Sequence, residues 1–170
     1  IHSEYFRAGS TIATTNTYPV LRDRLEKVGL AHKLEALWES AIKSALDSRN
    51  AHGKGRVAGS IGPLVGSYRP ESCPSAEVAE ESYAEIVNAL APSVDLILLE
   101  TMSSVSQAEG ALRASIKSGL PVWLAVTVDD FNGKVLRSGE DLNELRPLLE
   151  AFTPDALLIN CSRPEAVSTA

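Results

Sequence analysis

The chain has 170 residues, 44% of them apolar and 22% charged, which suits a folded core and excludes a disordered or fibrous protein. A net charge of −6 and a pI near 5.1 exclude the clustered Lys and Arg of a nucleic-acid-binding surface. No apolar run approaches the roughly 18 residues of a membrane span and no basic-then-apolar leader occurs, so a soluble, cytoplasmic protein is expected.

In chain order, residues 1–8 read as the tail of a helix closed by Gly9. Residues 10–16, rich in Thr, read as the first strand. Leu30, Leu34, Leu37, Trp38, Ile42 and Leu46 recur at helical spacing, and the glycines after His52 stop that helix. A strand over 56–62 then enters a Gly- and Pro-rich loop that reaches Pro74. Its Gly59 and Gly62 match no phosphate-binding pattern and point to close backbone approach. Ser75 is the expected N-cap of the next helix, with Glu77, Glu80 and Glu81 in its first turns. Residues 94–101 form a nearly unbroken apolar run ending in Glu100-Thr101, the pattern of a strand covered on both faces. Ser104 and Gln107 have capping-box spacing, and the helix they open ends at Gly119. A fourth strand is predicted over 121–129, where Asp129 and Asp130, followed by Asn132-Gly133, favour a tight turn over an ion site. Asp141 opens a last helix whose start Pro147 delays or kinks, and 155–161 is the fifth strand.

Strands alternating with helices predict a parallel sheet, either doubly wound or part of a (β/α)8 barrel, and periodicity alone does not choose. Each strand ends on a polar or reactive group, the one-dimensional pattern of a barrel active site. Cys73 lies in the Pro-rich loop and Cys161 ends a strand, so no disulfide is expected. His2, His32 and His52 share no strand end and are not expected to bind metal.

Four segments in register carry a family resemblance: AGSTIATTNTY at 8–18, GSIGP at 59–63, DLILLET at 95–101, and Asn160-Cys161. Together they resemble the homocysteine S-methyltransferase family. The resemblance implies a single domain over 1–170 that covers strands two to six of a (β/α)8 barrel, with further sequence expected at both ends. It also implies zinc as cofactor, with Cys161 as one ligand and two more from a Cys-Cys pair beyond this segment. The reaction implied is methyl transfer from an onium donor (betaine, S-methylmethionine or S-adenosylmethionine) to homocysteine, giving methionine. Glu100 would be the catalytic carboxylate that holds the ammonium group, supported by Thr101. Asn16, Thr17 and Tyr18 would line the pocket, and Asn160 would fix the loop that presents Cys161. Leu158 stands where the family often has Gly. The partners implied are small molecules, not nucleic acid or membrane, and a homo-oligomer is compatible. A metal-free hydrolase or lyase using Glu100 as general base, and a non-catalytic small-molecule-binding paralogue, use the same residues and stay open.

Overall fold

The computed structural model describes residues 1–170, in which five strands pair in parallel in the order of the sequence. They are β1 (Ile12–Thr14), β2 (Arg56–Ile61), β3 (Leu96–Met102), β4 (Val122–Val126) and β5 (Ala156–Ile159). A doubly wound sheet must reverse its strand order at a switch point, and this one does not. Right-handed crossovers between sequential neighbours put every connecting helix on one side. The sheet is therefore an arc of a barrel, five strands wide, and this decides the choice that periodicity left open.

The helices are α1 (His2–Arg7), α2 (Arg22–Glu26), α3 (Leu34–His52), α4 (Ala76–Leu90), α5 (Val105–Ser115), α6 (Arg146–Phe152) and α7 (Pro164–Val167). None is long and apolar enough to cross a membrane. The main core lies between them and one face of the sheet: Val57, Ile61, Ile97, Leu99, Leu124 and Val126 pack with Trp38, Tyr83, Ile86, Leu90 and Leu112. Strand side chains alternate between faces, so Ala58, Ser60, Leu96, Leu98, Glu100, Trp123 and Ala125 point to the opposite, interior face. That face turns polar toward the carboxyl ends of the strands, where Ser60, Glu100 and Asn160 sit.

Several boundaries differ from the sequence reading. The first strand shortens to three residues because Thr15 and Thr17 turn their hydroxyls into the structure to bond each other and β2. Leu30 precedes α3 and is 37% exposed, while Leu34, Trp38 and Ile42 bury as the spacing predicts. Gly53 stops α3 in the left-handed region, at φ 81°. Ser75 holds the N-cap position of α4, but its side chain makes no capping bond. Ser104 caps α5 through the Gln107 amide, but Gln107 reaches back to the Ser103 amide, so the box closes one residue early. Asp141 and Glu144 form a complete capping box over a 3-10 turn, and Pro147 delays the α-helix to Arg146. The short α2 and α7 have no counterpart in the periodicity.

Gly62 explains the Gly-rich loop. A Cβ there would lie 2.6 Å from the Tyr18 carbonyl oxygen and 2.9 Å from its ring, so only glycine lets the two loops touch.

Candidate active site

Glu100 reaches the rim of the sheet through an irregularity in β3. Leu99 pairs with Leu124 but Met102 with Val126, so β3 carries an extra residue against β4. Such a bulge re-aims side chains. Thr101 occupies it at φ 63°, a conformation that a β-branched residue adopts only under constraint. The strand expected to end at Thr101 therefore continues to Met102, and the acid sits inside its last turn of chain. Ser60 Oγ donates to Glu100 Oε1 at 2.6 Å, and Asn160 Nδ2 makes a longer contact of 3.4 Å to Oε2. The two carboxylate oxygens are thus contacted from the ends of β2 and β5, while the group stays half-buried.

Asn160 and Cys161 follow β5. The Asn160 carboxamide oxygen accepts from the Thr101 amide at 3.1 Å, which ties the bulge to this loop. Thr101 Oγ1 donates to Cys161 Sγ at 3.4 Å. Cys161 is exposed and free, and its backbone is also left-handed, at φ 53°. Tyr68 stands beside it, its phenol pushed up first by burial and then by hydrogen bonding to Cys161. Glu100, Thr101, Asn160 and Cys161 form one connected group, although bonded partners lie as many as 60 positions apart in the sequence.

Beside the acid, an open cleft of about 890 Å³ is lined by Asn16, Tyr18, Ser60 and Glu100, with Pro19 and Ser44 among its other lining residues. The Tyr18 hydroxyl bonds Ser67 at 2.6 Å and its ring lies against Gly62, so Tyr18 both lines the cleft and supports the loop after β2. Thr17 does not line the cleft. It is fully buried and donates to the Ser60 carbonyl at 2.5 Å, where it fixes the strand end that carries Ser60. The Asp129-Asp130 pair forms a turn, with Asp129 Oδ1 accepting from the amides of Phe131 and Asn132. Asp130 pairs with Arg137, which holds its carboxyl below the usual range together with the Arg163 amide.

Sequence reasoning missed Ser60, Tyr68 and Arg137. Ser60 had a signal: it is the one hydroxyl in a strand otherwise of apolar residues and glycine after Arg56. Tyr68 and Arg137 had none, because they meet the site across loops.

A catalytic zinc takes three protein ligands and keeps one position open. Cys161 offers one accessible thiol, and nowhere in the structure do three or more His, Cys, Asp or Glu side chains converge to hold an ion. These residues alone do not fit a zinc site; two further ligands would have to come from outside them.

The family model described as homocysteine S-methyltransferase matches residues 1–170. Betaine–homocysteine S-methyltransferase 1 of Danio rerio is 30% identical over 125 residues, 72% of this chain and 30% of that protein. The homocysteine methyltransferase MmuM of Escherichia coli in its metallated form superposes on the whole chain with a TM-score of 0.89 at 27% identity. Its apo form superposes with a TM-score of 0.78 at 26% identity. The chain spans 64% and 63% of those two solved chains, so it covers less than two thirds of their length. Sequence pattern, barrel arc and the grouping of strand ends agree with these matches, and the chain belongs to the homocysteine S-methyltransferase family.

Proposed function

We propose that this chain carries the acceptor-binding part of a methyltransferase that moves a methyl group from an onium donor to the thiol of homocysteine. The observation that carries the reading is the bonded group of Ser60, Glu100, Thr101, Asn160 and Cys161 at the carboxyl ends of three strands. In barrel enzymes that end holds the chemistry. Glu100 accepts hydrogen bonds from the substrate ammonium, a charge-assisted contact, while Ser60 and Asn160 fix its direction. Asn16 and Tyr18 shape the cleft beside it. In the transfer the acceptor sulfur forms a bond to the methyl carbon as the onium–carbon bond breaks. That electron pair leaves with the donor, and the thiol proton passes to solvent.

Zinc as cofactor is part of the proposal. Cys161 would be one of its thiolate ligands, with the others supplied by further polypeptide. That the MmuM neighbour has a metallated form supports this reading. Betaine, S-methylmethionine and S-adenosylmethionine all fit the donor class. The test is methionine formation, followed by mass spectrometry with each donor in turn, on the intact protein and its Cys161→Ser variant. Metal content is measured alongside. Product with about one zinc in the parent, and loss of both in the variant, is the expected result. No product with any donor, and no homocysteine binding, would overturn the reading.

A further inference from the structure

The amino ends of β1 and β2 carry a cluster of charge that the proposed reaction does not use. The loops leading into these two strands meet around a cavity of about 510 Å³. Phe6, Arg7, His52, Lys54, Gly55 and Arg56 are among its lining residues, and no Asp or Glu is. Gly55 lets the loops close on each other: a Cβ there would lie 2.7 Å from the Phe6 ring and 3.1 Å from the Thr11 carbonyl oxygen. The Phe6 ring stacks on His52, with centroids 5.2 Å apart.

Acids outnumber Lys and Arg in this chain by 22 to 16, yet Arg7, Lys54 and Arg56 form no ion pair. Arg7 Nε donates to the Ser3 carbonyl oxygen at 3.3 Å and Arg56 Nη2 to the Asp95 carbonyl oxygen at 3.5 Å, so each guanidinium keeps donors to spare. The Asp95 carboxylate is engaged elsewhere, by the Val57 amide at 2.7 Å and Arg49 at 3.4 Å. Helix dipoles are the ordinary reason for cations in this position, since α1 and α3 both end here with Arg7 and His52 in their last turns. Two carboxyl-terminal poles amount to about one negative charge. Three formal positive charges exceed that by about two, and Lys54 and Arg56 lie beyond the end of α3. The amides of Thr11, Lys54 and Gly55, on the same loops, find no acceptor within the chain.

We propose that this cavity binds a small organic phosphomonoester, its phosphate held by Arg7, Lys54 and Arg56 and its organic part set against Phe6 and His52. A phosphate brings nearly two negative charges and three acceptor oxygens, which match the surplus charge and the amides; a carboxylate brings one charge and two oxygens. The volume falls within the roughly 300–1,000 Å³ of small-ligand sites and leaves room beyond a lone phosphate ion. Arg56 opens β2, and Ser60, beside Glu100, lies four residues on, about 13 Å along the strand. The ligand therefore does not touch the groups proposed for methyl transfer.

Calorimetric titration of the intact protein in phosphate-free buffer tests the assignment, with AMP, glucose 6-phosphate, inorganic phosphate and acetate as separate probes. Saturable one-site binding of at least one of the two esters is expected, tighter than inorganic phosphate, weakened by salt, and absent with acetate. In Lys54→Gln/Arg56→Gln the affinity should fall about tenfold. Lys33→Gln, which removes an exposed and equally unpaired cation outside the cavity, should leave it unchanged. Should the double variant fail to fold, Lys54→Gln alone should weaken binding about threefold, and no change in it overturns the proposal. The proposal also fails if neither ester binds, if inorganic phosphate or acetate binds as tightly as both esters, or if Lys33→Gln weakens binding equally. No homocysteine enters the titration, so its outcome is independent of the proposed function.

Discussion

Strands β3 and β5 deliver Glu100 and Cys161, the two side chains at the centre of the proposed site, and they do it from opposite mechanical situations. Around Glu100, β3 is buried on both faces, with Leu96, Ile97, Leu99 and Met102 fully covered and neighbours on either side. Around Cys161, β5 has one neighbour, and two of its four residues are exposed. The acid is therefore aimed by the scaffold itself, through a bulge. The thiol is aimed by side-chain ties from Thr101, Thr127, Arg137 and Asp130. Within these 170 residues the proposed site has one half held by the sheet, the stiff half, and one held by side-chain ties, the adjustable half.

The largest effect should come from the stiff half. Leu99→Ala removes a fully buried side chain next to the acid and should cost about 2–5 kcal/mol in denaturant unfolding. Next, Glu100→Gln keeps shape and removes charge. Under the proposed function it should weaken homocysteine binding about 10- to 100-fold, read from KM, with little change in stability.

The adjustable half should respond to acid. Asp130 is held below the usual carboxylate range, first by Arg137 and then by the Arg163 amide. A depressed folded value gives stability that is present above the ordinary value of about 3.9 and is lost as pH falls through the lower folded one. In acid titrations from about pH 5 down to 2, the parent should therefore lose stability more steeply than Asp130→Asn. A parallel pair of curves would mean that the clamp adds nothing to the fold.

The smallest effect belongs to the edge. Leu157→Ala should change the stability of these 170 residues by no more than about 0.5 kcal/mol, since the side chain is already 48% exposed. A loss approaching that at Leu99, in a longer chain, would show that further polypeptide covers β5 and would erase the contrast between the strands.

Much of the acid's half was legible in the sequence and less of the thiol's. The run through Leu99 to Glu100 announces a buried strand with a charged end, because a carboxylate after four apolar residues has nowhere to go but the rim. Asn160-Cys161 could be placed at a strand end in the same way. The partners could not. Ser60 meets Glu100 across 40 positions, and Arg137 meets Cys161 across 24, through loops whose course no local periodicity fixes. Thr17 shows the converse: a polar residue beside the cleft in sequence, yet turned fully inward to complete a hydrogen bond.

By itself, then, the sequence determined the five strands and the helices α3 to α6, the stops at Gly53 and Gly119, and that Glu100, Asn160 and Cys161 lie at the carboxyl ends of strands. Those outcomes depend on neighbours within a turn or two, where propensity, capping and alternation act. Periodicity left the barrel arc open, the family resemblance implied it and the strand order decided it, whereas tertiary structure alone decided the bulge at Thr101 and the left-handed turn at Cys161. Each of these depends on which strands pair and on hydrogen bonds between distant segments, and such bonds outweigh local backbone preference only once the sheet has formed.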